Sequence, residues 1–402
     1  MWRRFGDVAF AAVVAVVVTL EAVPLAFLTW TLLGRLVGAS GGPPVGAVLL
    51  GAVTSLGVGL VMLTVYLLAY QYVSERRAAE RAERRRAWVE RWLRVLYGSA
   101  PEPAAAPGRD AVEALLDVRE TLRGADAARV MALLARYGVG AELERRVLNG
   151  GTSSRLEALD ALARSRIPEA MPTLIFAIGD PERVVQVAAV RAAARTLAAI
   201  EDPGERERLA ERVVRALGRS RLPFGVREEM LLLADDAAPS LVGAVLGDEA
   251  TSSSSLRAAL DAVARLQLLV FADQVVGCLD HEDPEVRAAA LRAAARTGLL
   301  PPHAHASVLA ALEDPVEFIR IHATAAARLL PRERALVALW ERLGDPSWWV
   351  RRQASESLAA LGPAGLAELG RAAETHPDRY GRDMAAQALR DHVVELVEAV
   401  RA

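Results

Sequence analysis

The ionisable residues of this chain restrict the chemistry that it could carry out. All 48 basic residues are arginine. The absence of lysine excludes a phosphate-loop lysine and a Schiff-base lysine. The one cysteine, Cys278, cannot form an internal disulfide or a multi-cysteine metal site. His303 and His305 are two residues apart, a spacing that does not place two ligands on one helix face. We therefore predict a protein without catalytic residues, cofactor, metal or small-molecule substrate.

Two adjacent tryptophans form the most individual motif, DPSWWVRR at residues 345–352. Neighbours on a helix point about 100° apart, so Trp348 and Trp349 cannot both enter one core. We expect one of them to pack near Trp340 and the other to be exposed beside arginine, as in many interface anchors. Packing of both inside the fold is the alternative. The pair is our first candidate for contact with a partner protein.

The tryptophan motif is one copy of an internal repeat. Four Asp-Pro pairs mark it: Asp180-Pro181, Asp283-Pro284, Asp314-Pro315 and Asp345-Pro346. Anchor positions fall at 155, 185, 226, 256, 286, 319, 350 and 381, mostly as a hydrophobic residue followed by arginine. The period is near 31 residues, with one longer unit that suggests an insertion at 201–207. Such a period accommodates two antiparallel helices and predicts a solenoid.

The residue types of the repeat suit a helix start. Aspartate caps a helix N-terminus, and proline fits the first turn. The arginine that recurs once per unit is able to reach the aspartate of a neighbouring unit.

This pattern resembles the short bacterial form of the HEAT repeat, with its DPxVRxxAxxAL signature, over about residues 152–402 and more loosely over 109–149. Gln186 and Arg155 depart from it. The resemblance implies an all-α fold in which 109–402 form a solenoid of about eight or nine helix pairs. It also implies that the signature helix lines the concave face. A ladder of arginines would then lie near that face, either connecting the turns or contacting a partner: Arg257, Arg287, Arg320, Arg351 and Arg382. The last four are our candidates for partner contact.

Two apolar runs precede the repeats, at residues 8–33 and 45–73. Each exceeds the roughly 20 residues that cross a bilayer. Arg3 and Arg4 precede the first run and a cluster of arginines follows the second, which favours cytoplasmic placement of both ends. We therefore predict a transmembrane hairpin over residues 1–73 in a bacterial inner membrane, with both termini and the solenoid in the cytoplasm.

Residues inside the predicted hairpin are candidates for intramembrane contacts. Glu21 is an ionisable group near the middle of the first run, where it usually faces a partner, a neighbouring helix or a cavity. Gly51, Ser55 and Gly59 are four residues apart and allow close approach of another helix. The neighbour is either the first run or a helix of another protein.

A basic segment, residues 74–97, follows the hairpin, and a Pro/Ala linker at 98–108 ends it. Residues 73–97 have a net charge of +4. We expect an amphipathic helix on anionic lipid or, alternatively, an extension of the second span that packs on the domain below. The candidate membrane-surface residues are Arg76, Arg77, Arg81, Arg84, Arg85, Arg86, Trp88 and Trp92.

The function that these features favour is a membrane-tethered scaffold that binds a partner protein through its solenoid. A second hypothesis is an accessory subunit of a membrane complex, such as a glycosyltransferase, envelope-synthesis or signalling system, recognised through the hairpin. The third is a HEAT-like enzyme, either a lyase or a DNA glycosylase. Residues 109–402 hold 37 arginines and 43 acidic residues, a net charge of −6. Nucleic-acid binders usually carry a basic surface, so we expect no nucleic-acid partner.

Overall fold

The computed structural model describes residues 45–104, 107–220, 222–248 and 250–401, with side chains from residue 57 to 392 apart from 58 and 61. Every regular element in these ranges is helical. The α-helices are α1 Val45–Leu96, α2 Arg109–Thr121, α3 Gly124–Arg136, α4 Val139–Asn149, α5 Thr152–Ser165, α6 Met171–Ala177, α7 Arg183–Leu197, α8 Pro203–Arg219, α9 Phe224–Leu233, α10 Ala238–Leu246, α11 Ser253–Leu266, α12 Ala272–Gly277, α13 Pro284–Thr297, α14 His305–Ala311, α15 Glu317–Ala326, α16 Arg332–Arg342, α17 Trp348–Ala360, α18 Pro363–Thr375 and α19 Arg379–Arg401. The predicted all-α class is confirmed for these residues.

The chain packs as two compact units, Met1–Val118 and Arg119–Ala402. In the first unit, α2 packs on the C-terminal part of α1. Trp92 is fully buried there, and its indole N–H donates to Ala111 O at 2.8 Å. Because a buried indole N–H needs an acceptor, this bond fixes the position of α2 along α1.

Among the described residues, no helix is long and apolar enough to cross a membrane. The first predicted span lies outside those residues. In α1, the apolar residues up to Val73 continue within the same helix into Glu75, Arg76 and Arg77. The prediction of a bacterial inner-membrane location with both termini cytoplasmic is therefore wrong, and the described fold does not support the predicted hairpin.

The second unit contains the repeats, stacked in two layers. The helices with the repeat signature pack on one another in order, as α5, α7, α9, α11, α13, α15, α17 and α19. The intervening helices pack against them and form the other layer. All eight anchor positions predicted from the sequence fall in the first layer. The two-helix repeat is therefore confirmed.

Small residues permit this stacking. The anchors Val185, Ile319 and Val350 are fully buried, and an alanine four residues later is buried too, as at Ala323 and Ala354. Residues four apart share a helix face, so a large residue and a small residue alternate along the contact. Neighbouring helices can then approach closely without leaving voids.

The extra residues of the longest repeat extend a second-layer helix. The predicted insertion at 201–207 begins α8, which runs from Pro203 to Arg219. Asp202 caps it by accepting the N–H of Glu205 at 2.7 Å, and proline occupies the first turn. The insertion therefore lengthens the second layer and leaves the stacking of the signature helices intact.

Candidate partner-binding surface

A recurrent turn precedes each of five signature helices. Its first side chain accepts the backbone N–H two residues later. The pairs are Asp180 with Glu182 (2.8 Å), His281 with Asp283 (3.0 Å), Asp314 with Val316 (2.8 Å), Asp345 with Ser347 (2.8 Å) and His376 with Asp378 (3.2 Å). We call these first residues the turn acceptors. Aspartate uses Oδ1, and histidine uses Nδ1.

The hydrogen bonds of these turns align the repeats differently from the sequence comparison, which aligned the four Asp-Pro pairs with one another. His281, rather than Asp283, is equivalent to the aspartates of the other turns. Asp283 is instead the N-cap of α13 and accepts the N–H of Glu285 at 2.9 Å, which helps to lower its pKa. In the other turns the Asp-Pro pair lies before the helix. Ser347, for example, caps α17. Alignment on Asp-Pro missed His281 because it shifts that repeat by two residues, and it missed His376 because that turn has His376-Pro377 in place of Asp-Pro.

The signature arginines donate back into these turns. Six residues after the turn acceptor, a guanidinium Nη1 donates to that residue's carbonyl oxygen: Arg287 to His281 (2.9 Å), Arg320 to Asp314 (2.9 Å), Arg351 to Asp345 (2.7 Å) and Arg382 to His376 (2.6 Å). Gln186 makes the same bond to Asp180 O at 2.6 Å through its amide. A side-chain donor of the right length is what this position requires, so Gln186 replaces arginine without loss of the bond.

Three arginines also connect consecutive repeats through ion pairs. Arg155 pairs with Asp180 (2.5 Å), Arg287 with Asp314 (3.0 Å) and Arg320 with Asp345 (2.9 Å). In the last pair, the side chains are 14% and 2% exposed, and hydrogen bonding to Asp345 is the main cause that raises the pKa of Arg320. Arg287, Arg320, Arg351 and Arg382 therefore each donate at least one N–H group inside the array. Their role in partner binding stays a prediction.

The ion pair between consecutive repeats is replaced by another contact where His376 is the turn acceptor. Arg351 has His376 at the position where Arg320 has Asp345 in the next turn. Its guanidinium lies 5.3 Å from the ring centroid of Tyr380 instead. His376 is buried, and its other nitrogen, Nε2, lies within hydrogen-bond distance of Trp340 O at 3.2 Å. This turn is therefore stabilised without an ion pair to Arg351.

Both tryptophans of the predicted pair are exposed. Trp348 is 42% exposed and Trp349 is 59% exposed. Their rings meet edge to face with centroids 4.7 Å apart, and the guanidinium of Arg352 lies 5.4 Å from the Trp348 ring. Trp340 contacts other groups, His376 at 5.1 Å and Arg371 at 4.3 Å. The structure thus leaves neither tryptophan in the interior position that we expected for one of them.

An aromatic residue recurs at the same register in three consecutive repeats. Phe318, Trp349 and Tyr380 each stand directly before the anchor and are 31 residues apart. Phe318 is partly exposed, whereas Tyr380 is 64% exposed. We call these three residues with Trp348 the aromatic row. Sequence reasoning missed the row, although its signal was visible in the segments EFIR, WWVR and RYGR.

The residues predicted to make intramembrane contacts all precede the repeats in the sequence. Glu21 lies outside the described residues. Gly51, Ser55 and Gly59 belong to α1, where a Cβ added to Gly59 would meet no atom within 4 Å. These contacts stay predictions.

The basic segment faces α2 with part of its surface. Arg84 pairs with Asp110 at 2.9 Å, and Arg85 pairs with Asp117. Trp88 is half-buried against the buried Trp92. These contacts agree with the alternative prediction, in which the basic segment packs against other protein residues. The remaining arginines are exposed: Arg76, Arg77, Arg81 and Arg86.

No metal-binding arrangement is found in the described part of the chain, where no three or more His, Cys, Asp or Glu side chains cluster suitably. Cys278 is half-buried, and desolvation raises the pKa of its thiol. A raised thiol pKa disfavours the reactive thiolate.

Comparison with known families identifies part of the second unit. Residues 335–364, which include the end of α16 and the whole of α17, match the HEAT repeat family. This segment is similar to a HEAT repeat. No curated protein matches the sequence. The matched segment includes Trp348 and Trp349.

Several solved repeat structures resemble the chain at low similarity. An engineered protein is 18% identical, with 70% of this chain and 84% of that chain covered and a TM-score of 0.34. A designed armadillo repeat protein is 18% identical, with 55% and 99% covered and a TM-score of 0.30. The Escherichia coli protein YibA is 16% identical, with 72% and 99% covered and a TM-score of 0.37.

Proposed function

We propose that this protein is a scaffold that binds a partner protein through the aromatic row of its HEAT solenoid. The exposure of Trp348 and Trp349 on adjacent positions carries the proposal. Large aromatic side chains and arginine are enriched at interface hot spots, where burial gives much contact area at little entropic cost. No packing requirement of the repeat explains why both rings face solvent.

The arrangement of the row suits a partner segment that crosses several repeats. Neighbouring helices pack with axes about 8–10 Å apart, so Phe318, Trp349 and Tyr380 present one ring per step of the stack. An extended segment lying across the signature helices would meet these rings in turn. The ring stacking between Arg351 and Tyr380 and between Arg352 and Trp348 holds the edges of the surface in place.

The scaffold role also agrees with the fold class. HEAT solenoids typically act as binding surfaces rather than as catalysts, and they offer extended faces made by stacked repeats. Fold alone does not assign function, so the proposal depends on the aromatic row and is tested there.

Site-specific photo-crosslinking tests the proposal. A photoreactive phenylalanine analogue replaces Trp349 in one variant and Tyr380 in another, and adducts are identified by mass spectrometry from cells. We expect the same partner at both positions. The matched control is Val337, which is 61% exposed on α16 outside the row. Adducts of the same composition at position 337 would contradict a specific role for the row.

A substitution gives a second measurement. Trp348→Ala should abolish the adduct at position 380, because truncation of a buried interface tryptophan costs about 2 kcal/mol or more of binding. The fold should be unaffected, since this side chain is exposed. Val337→Ala serves as the control. An undiminished adduct in Trp348→Ala would exclude the tryptophan as an anchor.

A further inference from the structure

A cavity of about 330 Å³ lies on the signature-helix layer, where α13, α15 and α17 meet. Alanines and Ser357 form part of its wall. Its ionisable and amide side chains are Arg292, Arg296, His322, Arg328, Gln353 and Glu356. Three arginines therefore face one space in a unit whose overall charge is acidic. Glu356, the one acidic residue that lines the cavity, is paired with Arg352 at 2.8 Å.

One of the three arginines shows how a carboxylate fits this surface. Arg292 holds Asp261 of the preceding signature helix through Nη2 at 2.8 Å and Nε at 3.3 Å. Both N–H groups donate to the same carboxylate oxygen, Oδ1, and both hydrogen bonds are charge-assisted. Asp261 lies outside the cavity lining, so the pair leaves the cavity itself open.

The other two arginines are exposed, and neither forms an ion pair with a described acidic residue. Arg328 donates Nη2 to Ala295 O at 2.8 Å, which ties its guanidinium to the end of α13. Arg296 lies in the last turn of that helix. The cavity thus contains two arginines with uncommitted N–H groups, one of them already oriented.

His322 contributes no charge to this cavity at neutral pH. Burial is the main cause that lowers the pKa of His322 to about 4, and repulsion from Arg292 is the second cause. Its Nε2 lies 3.4 Å from Arg292 Nη1, a position in which a neutral ring accepts a weak hydrogen bond. His322 therefore orients Arg292, and the binding donors are the arginines.

We infer that this cavity binds carboxylate side chains of an acidic peptide segment. Paired arginine forks recognise carboxylates through two parallel hydrogen bonds. A phosphate dianion is less suited, because Arg296 and Arg328 sit at C-terminal helix ends, where the helix dipole opposes concentrated negative charge. The cavity lies in the last turns of α13 and α15, whereas the aromatic row lies at the N-terminal ends of the signature helices. The inference therefore stands apart from the proposed function.

Fluorescence anisotropy of the full chain with a labelled hexaglutamate peptide tests the inference. Hexaglutamine is the neutral control peptide. We expect hexaglutamate to bind and hexaglutamine not to bind, and added salt to weaken the binding. Binding of the two peptides with equal affinity would overturn the inference.

Matched variants locate the site. Arg296→Glu with Arg328→Glu should weaken hexaglutamate binding about tenfold or more, through loss of charge-assisted hydrogen bonds and new repulsion. Arg208→Glu with Arg212→Glu makes the same charge change at exposed positions of α8, and two steps of the helix stack, each about 8–10 Å, separate α9 from α13. This control should leave affinity within about twofold, since surface charges separated by more than a Debye length are screened. Equal losses in both double variants would show general electrostatic attraction and overturn the site.

Two further measurements distinguish carboxylate binding in the cavity from phosphate binding and from binding at the aromatic row. A phosphoserine peptide that binds more tightly than hexaglutamate would overturn the carboxylate assignment. Trp348→Ala with Trp349→Ala should keep hexaglutamate affinity. That result separates a failure of this inference from a failure of the partner-binding proposal, because each surface then has its own variant and readout.

Discussion

The Asp345 turn and the His376 turn do the same local task with different chemistry. Each turn acceptor receives the backbone N–H two residues later, and each carbonyl receives the signature arginine of its own repeat. Only Asp345 also forms an ion pair with the arginine of the preceding repeat, Arg320. At His376 the equivalent Arg351 stacks on the exposed Tyr380 instead. Exchange of one carboxylate for an imidazole thus releases an arginine from a structural pair and places it under an exposed ring.

The ion pair should make the Asp345 turn the more sensitive of the two. Arg320→Ala leaves the Asp345 carboxylate, 2% exposed, without its charged partner. We expect a loss of about 3 kcal/mol in the free energy of unfolding. Arg351→Ala removes hydrogen bonds to two carbonyls but no ion pair, and should cost about 1 kcal/mol. Urea denaturation measures both. Equal losses of unfolding free energy in the two variants would contradict the expected difference in sensitivity between the Asp345 turn and the His376 turn.

The glycine after the His376 turn gives a second test. A Cβ at Gly381 would lie 2.6 Å from His376 Nδ1 and 2.8 Å from Leu343 O, whereas the Asp345 repeat has Val350 at this anchor. We expect Gly381→Val to cost about 2 kcal/mol through overpacking. Gly370→Ala in α18 is the control, since its Cβ would meet nothing within 4 Å, and it should stabilise slightly. A tolerated valine in thermal denaturation would show that the imidazole does not need this space.

Protonation of His322, which lies outside the turns, should give the smallest change in the free energy of unfolding. Burial lowers the pKa of His322 to about 4, below its ordinary value of 6.5. The folded state therefore binds fewer protons than the unfolded state between these values. The contribution of neutral His322 is present above pH 6.5 and is lost as pH falls toward 4. We expect a loss of roughly 1–2 kcal/mol after allowance for solvent screening.

His322→Gln isolates this contribution from the turns. The variant should flatten the fall of the unfolding free energy between pH 6.5 and 4, while His281 and His376 remain in place. An unchanged pH dependence in His322→Gln would show that His322 does not cause the loss of unfolding free energy at acidic pH.

The stack of helices could be predicted from the sequence because the information is local. Val185, Ile319 and Val350 recur at the period of the repeat, and each is buried as expected. The contact between Arg320 and Asp345 followed from one arginine and one aspartate per unit. Burial and pairing of this kind depend on residue type and spacing, which a single sequence contains.

The details that escaped prediction depend on geometry across repeats. His281 and His376 act as turn acceptors only because an imidazole Nδ1 reaches the same N–H as a carboxylate, which residue type does not reveal. Arg155 was assigned to a hydrophobic anchor, yet it pairs with Asp180 as a signature arginine does. The exposure of both Trp348 and Trp349 depends on what packs around them in the fold, which residue type does not reveal. The cavity between α13, α15 and α17 requires side chains from three repeats at once.

The cross-repeat ion pairs have a direction. Arg287 reaches forward to Asp314, and Arg320 reaches forward to Asp345. Each such repeat therefore gives one arginine to its successor and offers one aspartate to its predecessor. A tandem duplication of one unit, such as residues 319–349, would supply both halves of the new junction at once. The ion pair at the new junction would form without any compensating substitution. Duplication of one unit could therefore lengthen the solenoid in a single genetic event.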